Sequence, residues 1–534
     1  MDQLVDPGTF IEEDSSIVSS DPLGFVDSHS YQERIGKARK STGLSEAVVV
    51  GSAKLTGHAV YIGVFDFSFL GGSMGIAVGE RLVRLFERAT KWKKPVLIIT
   101  SSGGARLQEG TLALSQMARV AAAVERYRSV SQPFISVLAD PTTGGVMVSP
   151  ASLADAVFAE PGAFAAFAGS RVSGEVIPIK AEWLLSHGMV DAVIARHEMR
   201  DSLALAIQIL TRRNRSFRRL APAAHPVPDH RGTGTPPNLP GAWERVKTVR
   251  RSDRPSSLGY IARMTTDFVE LAGDKLYADD GAVVGGVGTL EGRSVVFIGH
   301  ERSRPANARQ PAGKPYPEGF RKALRLASLA AKFNFPVVTL IDTPGAQADA
   351  DAEARGLSFA IGRCLRVFSI LPVPVIAAII GEGCSGAAIA LAVADRVLMQ
   401  ENAIYEVISP EGAGLILYGD AQRAPEIAPQ MGVTAPEALA LGVVDEIVAE
   451  PAGGTHTDPA LAARLLSLSL TSAIAESQRW LPKRLLQKRY VRLQSIGAEY
   501  LQTKPSETRG FAIPAVHGIG TLRRQITQRP IVEL

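Results

Sequence analysis

Phe134-Ile-Ser-Val-Leu-Ala-Asp-Pro-Thr-Thr-Gly-Gly-Val146 and, much later, Val375-Ile-Ala-Ala-Ile-Ile-Gly-Glu-Gly-Cys-Ser-Gly-Ala387 follow one pattern. In each, an uninterrupted apolar run (Phe134 to Leu138, Val375 to Ile380) gives way to a pair of small residues. Apolar runs without alternation predict strands buried on both faces, and the small residues that follow can open a helix. The pairs Gly144-Gly145 and Gly386-Ala387 lie 242 positions apart, as do Gly103 in Ser102-Gly103-Gly104 and Gly345 in Pro344-Gly345-Ala346. The prolines that open the strands agree within one residue: Pro95 with Pro336 and Pro133 with Pro374 are each 241 apart. Loops drift in length between copies, so a near-constant offset across five landmarks predicts an internal duplication.

Working outward, each half repeats one order of elements. A strand pair around Thr56-Gly57 is matched by one around Glu291-Gly292. Helical periodicity over Met74 to Trp92 is matched over Glu318 to Lys332, and Glu109 to Arg126 by a helix over Glu353 to Phe368. The strands Val96 to Thr100 and Ala156 to Ala159 have partners at Val337 to Ile341 and Arg396 to Met399. Strands alternating with helices predict an α/β fold with buried sheets. The expected organisation is a lead-in over 1–28, a first half over 29–212, a linker over 213–255, a second half over 256–500 and an extended tail over 501–534.

With 534 residues the chain exceeds a single core, and 46% hydrophobic with 21% charged residues describes an ordinary globular protein. Two cysteines, Cys364 and Cys384, support neither a disulfide framework nor a cysteine-rich metal site. The start of the chain shows no basic segment before an apolar core, and Leu371 to Ile380 is too short to span a bilayer, so a soluble cytoplasmic protein is expected. The net charge of +5 is local: residues 211–255 carry eleven Lys or Arg against three acidic residues, with seven prolines. That composition reads as a flexible basic linker. Without zinc-finger spacing or interleaved aromatics it gives no case for nucleic-acid binding.

Small residues where a strand meets a helix let main-chain N–H groups approach a ligand, and the helix dipole favours negative charge there. Two such turns in each half can converge so that each supplies one N–H to an oxyanion. Packing alone also explains any one such glycine. His58, His187 and His300 are isolated, Cys384 has no neighbour that would make it a thiolate, and Arg106 and Arg171 can meet either an anionic ligand or a structural carboxylate. No metal-binding His pair, Gly-x-Ser-x-Gly or phosphate-binding loop is present in the sequence.

Longer phrases carry a resemblance. Phe69-Leu-Gly-Gly-Ser-Met-Gly75, Ser102-Gly-Gly-Ala-Arg106 and Asp140-Pro-Thr-Thr-Gly-Gly145 resemble the β subunit of the carboxyltransferase component of bacterial acetyl-CoA carboxylase. Pro317-Glu-Gly-Phe-Arg-Lys-Ala-Leu-Arg325, Ile341-Asp-Thr-Pro-Gly-Ala346, Gly381-Glu-Gly-Cys-Ser-Gly386 and Val407-Ile-Ser-Pro-Glu-Gly412 resemble its α subunit. The resemblance implies two tandem crotonase-like domains. It implies transfer of a carboxyl group from carboxybiotin, borne on a separate biotin carboxyl carrier protein and supplied by a biotin carboxylase, to the α-carbon of acetyl-CoA or another short acyl-CoA. The product would be malonyl-CoA for fatty-acid or polyketide synthesis. Gly144 and Gly145 would hold the thioester oxygen, and Gly386 and Ala387 the ureido oxygen. Gly103, Gly104, Ala105, Arg106, Gly345 and Ala346 would contact substrates, and a homodimer would assemble. The family's four-cysteine zinc ribbon is absent, so no metal is expected. A biotin-independent malonyl-thioester decarboxylase on the same fold is the alternative.

Overall fold

The computed structural model describes residues 3–21, 23–26, 29–166, 179–212, 241–304 and 313–496. The first half contains β1 (Ile11–Glu13), α1 (Tyr31–Thr42), β2 (Val48–Leu55), β3 (His58–Phe65) and α2 (Ile76–Trp92). It continues with β4 (Val96–Ser102), α3 (Gly110–Arg128), β5 (Phe134–Thr143), α4 (Gly144–Val148), β6 (Ala156–Ala159), β7 (Ala165–Ala166), β8 (Ala192–Val193) and α5 (Arg196–Thr211).

The second half opens with α6 (Ala242–Val249), β9 (Thr265–Glu270), β10 (Val283–Leu290), β11 (Arg293–His300), α7 (Pro317–Phe333) and β12 (Val337–Thr343). Then come α8 (Leu357–Ile370), β13 (Val375–Cys384), α9 (Ser385–Ala392), β14 (Arg396–Gln400), β15 (Ile404–Glu406), α10 (Pro410–Tyr418), β16 (Glu446–Val448), α11 (Pro459–Ser477) and α12 (Pro482–Ser495).

The two sheets have one topology. The first runs β1-β2-β3-β4-β5-β6-β8 with β7 beside the end of β5; the second runs β9-β10-β11-β12-β13-β14-β16 with β15 beside the end of β13. The first three strands of each are antiparallel and the rest parallel. The hairpins turn at Thr56-Gly57 and Glu291-Gly292, all four residues at positive φ, the conformation that suits the twist of a two-residue hairpin. Central strands are buried on both sides because α2 and α7 lay an apolar stripe on one face: Val78, Leu82, Leu85 and Phe86 in α2, Phe320, Ala323, Leu326 and Ala327 in α7.

Counterpart elements correct the spacing expected from sequence. α2 and α7, β4 and β12, and β5 and β13 are each offset by 241, not 242. Gly104 therefore corresponds to Gly345 and Gly145 to Gly386, while Ser385 is the counterpart of Gly144 and Val146 that of Ala387. The helix expected over Glu353 to Phe368 is broken at Gly356 (φ 81), with a short helix over Ala350–Ala354 before it. The expected linker ends too late, because α6 is helical with Arg245 and Val246 buried; residues 213–240 lie outside the described residues. The lead-in joins the first sheet: β1 pairs with β2, and Asp6 accepts the Thr56 and Gly57 amides at 2.9 and 2.8 Å. The tail expected over 501–534 also lies outside the described residues.

The halves share one layer of their apolar core, besides clusters confined to each. Residues of β3, β5 and α5 join those of β10, β11 and α7 in a single cluster, with α5 packed between the two sheets. Polar contacts frame it: Lys332 pairs with Asp155 at 2.5 Å, Arg325 and Lys275 with Asp191 at 2.9 and 3.0 Å, and the Ser294 hydroxyl donates to the Ile209 carbonyl. Among the described residues no helix is long and apolar enough to cross a membrane.

Candidate functional site

In both halves the parallel strands end in tight turns on the same edge of the sheet. After β4, Gly104 takes φ 113 and donates its N–H to Ser102 Oγ at 3.0 Å; after β12, Gly345 takes φ 120 and donates to Thr343 Oγ1 at 3.1 Å. Only glycine holds that conformation without strain. In the first half the two turns touch, since a Cβ on Gly144 would come within 2.9 Å of Gly104 Cα. The second half is more open: a Cβ on Gly345 would meet nothing within 4 Å, and one on Gly386 only Ile361 at 3.7 Å.

Which amides remain free follows from these bonds. Gly103 donates to the Gly71 carbonyl, Gly104 to Ser102, and Arg106 to Met74, which leaves the Ala105 N–H without an acceptor among the described residues. Gly345 and Gln347 are committed in the same way, leaving Ala346. The glycines expected to donate thus shape the turn, and the alanines beside them hold the open donors. The N–H groups of Gly145 and Val146 in α4 and of Gly386 and Ala387 in α9 have no acceptor within their helices, as in any helical first turn, while those of Gly144 and Ser385 close the parallel ladders with β7 and β15. Each half thus presents one amide after the first turn and two at the second, arranged as a site for an oxygen that gains negative charge.

Arg106 is not a ligand-facing residue. Its side chain is fully buried and holds Glu46 at 2.6 Å, the Ser73 hydroxyl at 3.1 Å and Tyr31 Oη at 3.2 Å. Burial opposes the charge on Glu46, but the guanidinium outweighs it and the carboxyl titrates below its usual range. Tyr31 donates to Glu109 at 2.6 Å, and Glu109 accepts the Ile76 amide at the start of α2. The contact between Arg106 and a substrate expected from sequence is replaced by a buried anchor, because the guanidinium finds a carboxylate directly beneath the turn. Arg171 lies outside the described residues. His300 is fully buried and burial drives it down to about 3, a neutral core residue.

The second half places charge where the first has none. Arg250, just after α6, holds Glu382 at 2.8 Å and Glu411 at 2.6 Å; Arg302 holds Asp342 at 2.9 Å and reaches Glu382 at 3.4 Å. The counterparts of Asp342 and Glu382 at the offset of 241 are Ser101 and Pro141. Comparing the halves position by position is the signal that could have revealed these residues. Glu406 stands apart: its carboxyl is buried, and among the described residues its oxygens meet no N–H or O–H donor, only the weak Cys384 thiol. Burial, and then Glu382, raise it to about 8. Cys384 beside it is pushed up to about 12 by burial and then by Glu406, so its thiol stays neutral.

Comparison with known proteins covers both halves. Residues 238–497 match the family described as acetyl co-enzyme A carboxylase carboxyltransferase-like, and residues 9–181 match the carboxyl transferase domain. The acetyl-coenzyme A carboxylase carboxyl transferase subunits beta/alpha of Salinispora arenicola is 46% identical over 480 residues, covering 86% of this chain and 82% of that protein. Its counterpart in Clostridium tetani is 37% identical over 504 residues, covering 93% and 86%. Among solved structures, the transcarboxylase 12S hexamer with methylmalonyl-coenzyme A and methylmalonic acid bound aligns with TM-score 0.68 at 21% identity over 95% of this chain and 91% of that one, a likeness of fold.

Proposed function

The chain belongs to the acetyl-CoA carboxylase carboxyltransferase family in its fused β/α form, and from that premise we propose how its two halves divide one reaction. It is a carboxyltransferase that carries a carboxyl group to the α-carbon of an acyl-CoA, giving malonyl-CoA from acetyl-CoA. The carboxyl donor is carboxybiotin on a carrier protein, loaded by a biotin carboxylase in the cytoplasm. The first-half turn holds the thioester oxygen through Ala105 and the opening amides of α4. The second-half turn holds the ureido oxygen through Ala346 and the opening amides of α9. The bond from carboxyl to ureido nitrogen breaks, the freed nitrogen takes the α-proton, and the α-carbon bonds the carboxyl carbon. Each main-chain donor aimed at a developing oxyanion is worth about 2.7–4 kcal/mol. No side-chain base is required.

One observation carries this reading: both halves present the same set of uncommitted amides at the carboxyl ends of their strands. A second concerns assembly. The second half abuts the opposite edge of the first sheet, where Lys332 and Arg325 meet Asp155 and Asp191. Roughly 20–30 Å of strand separates that contact from the first-half turn. We infer that the two turns of one chain do not share a substrate pair. Apolar side chains stand exposed near each turn, among them Leu107 (82%) and Leu114 in the first half and Phe359 (85%), Val407 and Ile416 in the second. Exposed apolar faces of this kind mark interfaces. A dimer in which the first-half turn of one copy faces the second-half turn of its partner would bring the two reactants together.

The test is carboxyl exchange between malonyl-CoA and biotin or biotinylated carrier, repeated with propionyl- and butyryl-derived substrates. Exchange is expected, and its complete absence with every short acyl-CoA would reject biotin as the donor.

A further inference from the structure

Glu406 ends β15, and its register partner in β13 is Cys384, the residue that opens the Ser385-Gly386-Ala387 turn. The first half supplies an internal control. There the same pairing joins Thr143, which opens the Gly144-Gly145 turn, to Ala166. A carboxyl thus stands beside the second-half turn where its duplicate carries only a methyl group. It is 6% exposed, and among the described residues no N–H or O–H donor reaches its oxygens, only the weak Cys384 thiol, whereas the neighbouring Glu382 is held by Arg250 and Arg302 and Glu411 by Arg250. One weak thiol donor leaves most of the carboxyl's hydrogen-bonding capacity open to a ligand.

We propose that Glu406, as an un-ionised acid, is a recognition residue for the carboxyl donor, pairing its O–H and C=O with the C=O and N–H edge of a cyclic urea held at the Ser385-Gly386-Ala387 turn. A carboxylic acid and a cyclic urea are complementary, each offering one donor and one acceptor side by side. The pairing leaves the carboxylated nitrogen on the other side of the ring free to face the acyl-CoA. This inference rests on the biotin reading above and deepens it.

The groups facing Glu406 decide its state. Cys384 and Glu382 come from β13, Arg250 from the segment after α6, and Glu411 from α10. Arg250 is already shared by Glu382 and Glu411, so it cannot also neutralise Glu406. Raised to about 8, the carboxyl is neutral below that pH and ionises above it. Ionisation removes the O–H donor and sets a negative charge beside an oxygen that must itself become negative. Use of the biotin substrate should weaken on the alkaline side.

The experiment measures malonyl-CoA–biotin exchange from pH 6 to 9.5 in the full chain, with KM determined separately for biotin and malonyl-CoA. Glu406→Ala, which copies the first half, should raise the biotin KM about tenfold while leaving that for malonyl-CoA unchanged. Glu406→Gln keeps a donor and an acceptor without a titrating proton. It should bind biotin nearly as well as the parent and lose the alkaline rise in biotin KM. Thermal melting of both variants separates misfolding from lost recognition, and if Glu406→Ala fails to fold, the pH profile of Glu406→Gln decides alone. Exchange in the parent protein with an unaltered biotin KM in Glu406→Ala, or an unaltered alkaline rise in Glu406→Gln, would overturn this assignment and leave the parent reading standing. A parent protein that never uses biotin would overturn both.

Discussion

Lys332 and Arg489 perform the same task on counterpart carboxylates in the two halves. Asp155 accepts the Phe134 amide at the start of β5 at 2.8 Å and is neutralised by Lys332; Asp395 accepts the Val375 amide at the start of β13 at 2.8 Å and is neutralised by Arg489 at 2.6 Å. Lys332 belongs to the other half, whereas Arg489 lies on α12 of the same half. The first half therefore depends on its neighbour for a charge that the second half supplies itself.

Removing either cation leaves a buried carboxylate without its partner. Lys332→Met and Arg489→Met should each destabilise the protein by about 3 kcal/mol, read as a lower midpoint in urea. Only Lys332→Met should also expose the junction between halves to faster amide exchange in β6 and α7.

Arg106 and Glu46 give a prediction in acid. The folded-state pKa of Glu46 lies below its unfolded value, so the pair contributes stability above about pH 4.3 and loses it as the pH falls through the folded value. Arg106→Met strands the carboxylate. Without the guanidinium, burial raises the carboxyl instead, so the variant should lose stability at neutral pH and recover part of it on acidification, which urea midpoints compared at neutral and acid pH would register.

Gly104 and Gly345 share a conformation but not a setting. Alanine at either should cost about 1–3 kcal/mol of backbone strain. Gly104→Ala also drives a Cβ to 3.3 Å from Gly144 Cα, whereas Gly345→Ala meets open space. Melting temperatures should fall further for Gly104→Ala, and equal losses would contradict the contact between the first-half turns.

Facing turns from two copies predict rescue. Gly145→Val and Gly386→Val should each lower kcat by about 100-fold or more by crowding the donors. Gly386→Val should melt close to the parent, because the nearest atom to its Cβ is 3.7 Å away. Co-refolding the two inactive proteins should restore about a quarter of the parent activity, since half the dimers are mixed and each has one intact pair of turns. No recovery would place both turns of a site in a single chain.

Much of this was legible in the sequence because the duplication is written in backbone-determined residues. Strand-opening prolines, Gly104 with Gly345 and the hairpin glycines must recur wherever the chain repeats a turn, and they located every central strand. What escaped was set by contacts between distant positions. Arg106 follows a glycine-rich turn like a ligand-binding arginine, and only the fold brings Glu46 beneath it, 60 residues earlier in the chain. Glu406 gave no local signal, since its meaning comes from the strand it pairs with. The one-residue error in offset arose at both turns: Gly345 (φ 120) is the counterpart of Gly104 rather than Gly103, and Ser385 (φ 62) takes the left-handed conformation that Gly144 holds in the first half.

The apolar layer around α5 has a consequence for how such chains can be recombined. Each module has apolar clusters of its own, but the layer between the sheets belongs to both, because α5 leans on β3 from one side and on β9 and β10 from the other. Exchanging one module for that of a relative would have to carry the facing surface with it. The boundary between the halves in sequence is therefore not a place where the protein can be cut and regrafted.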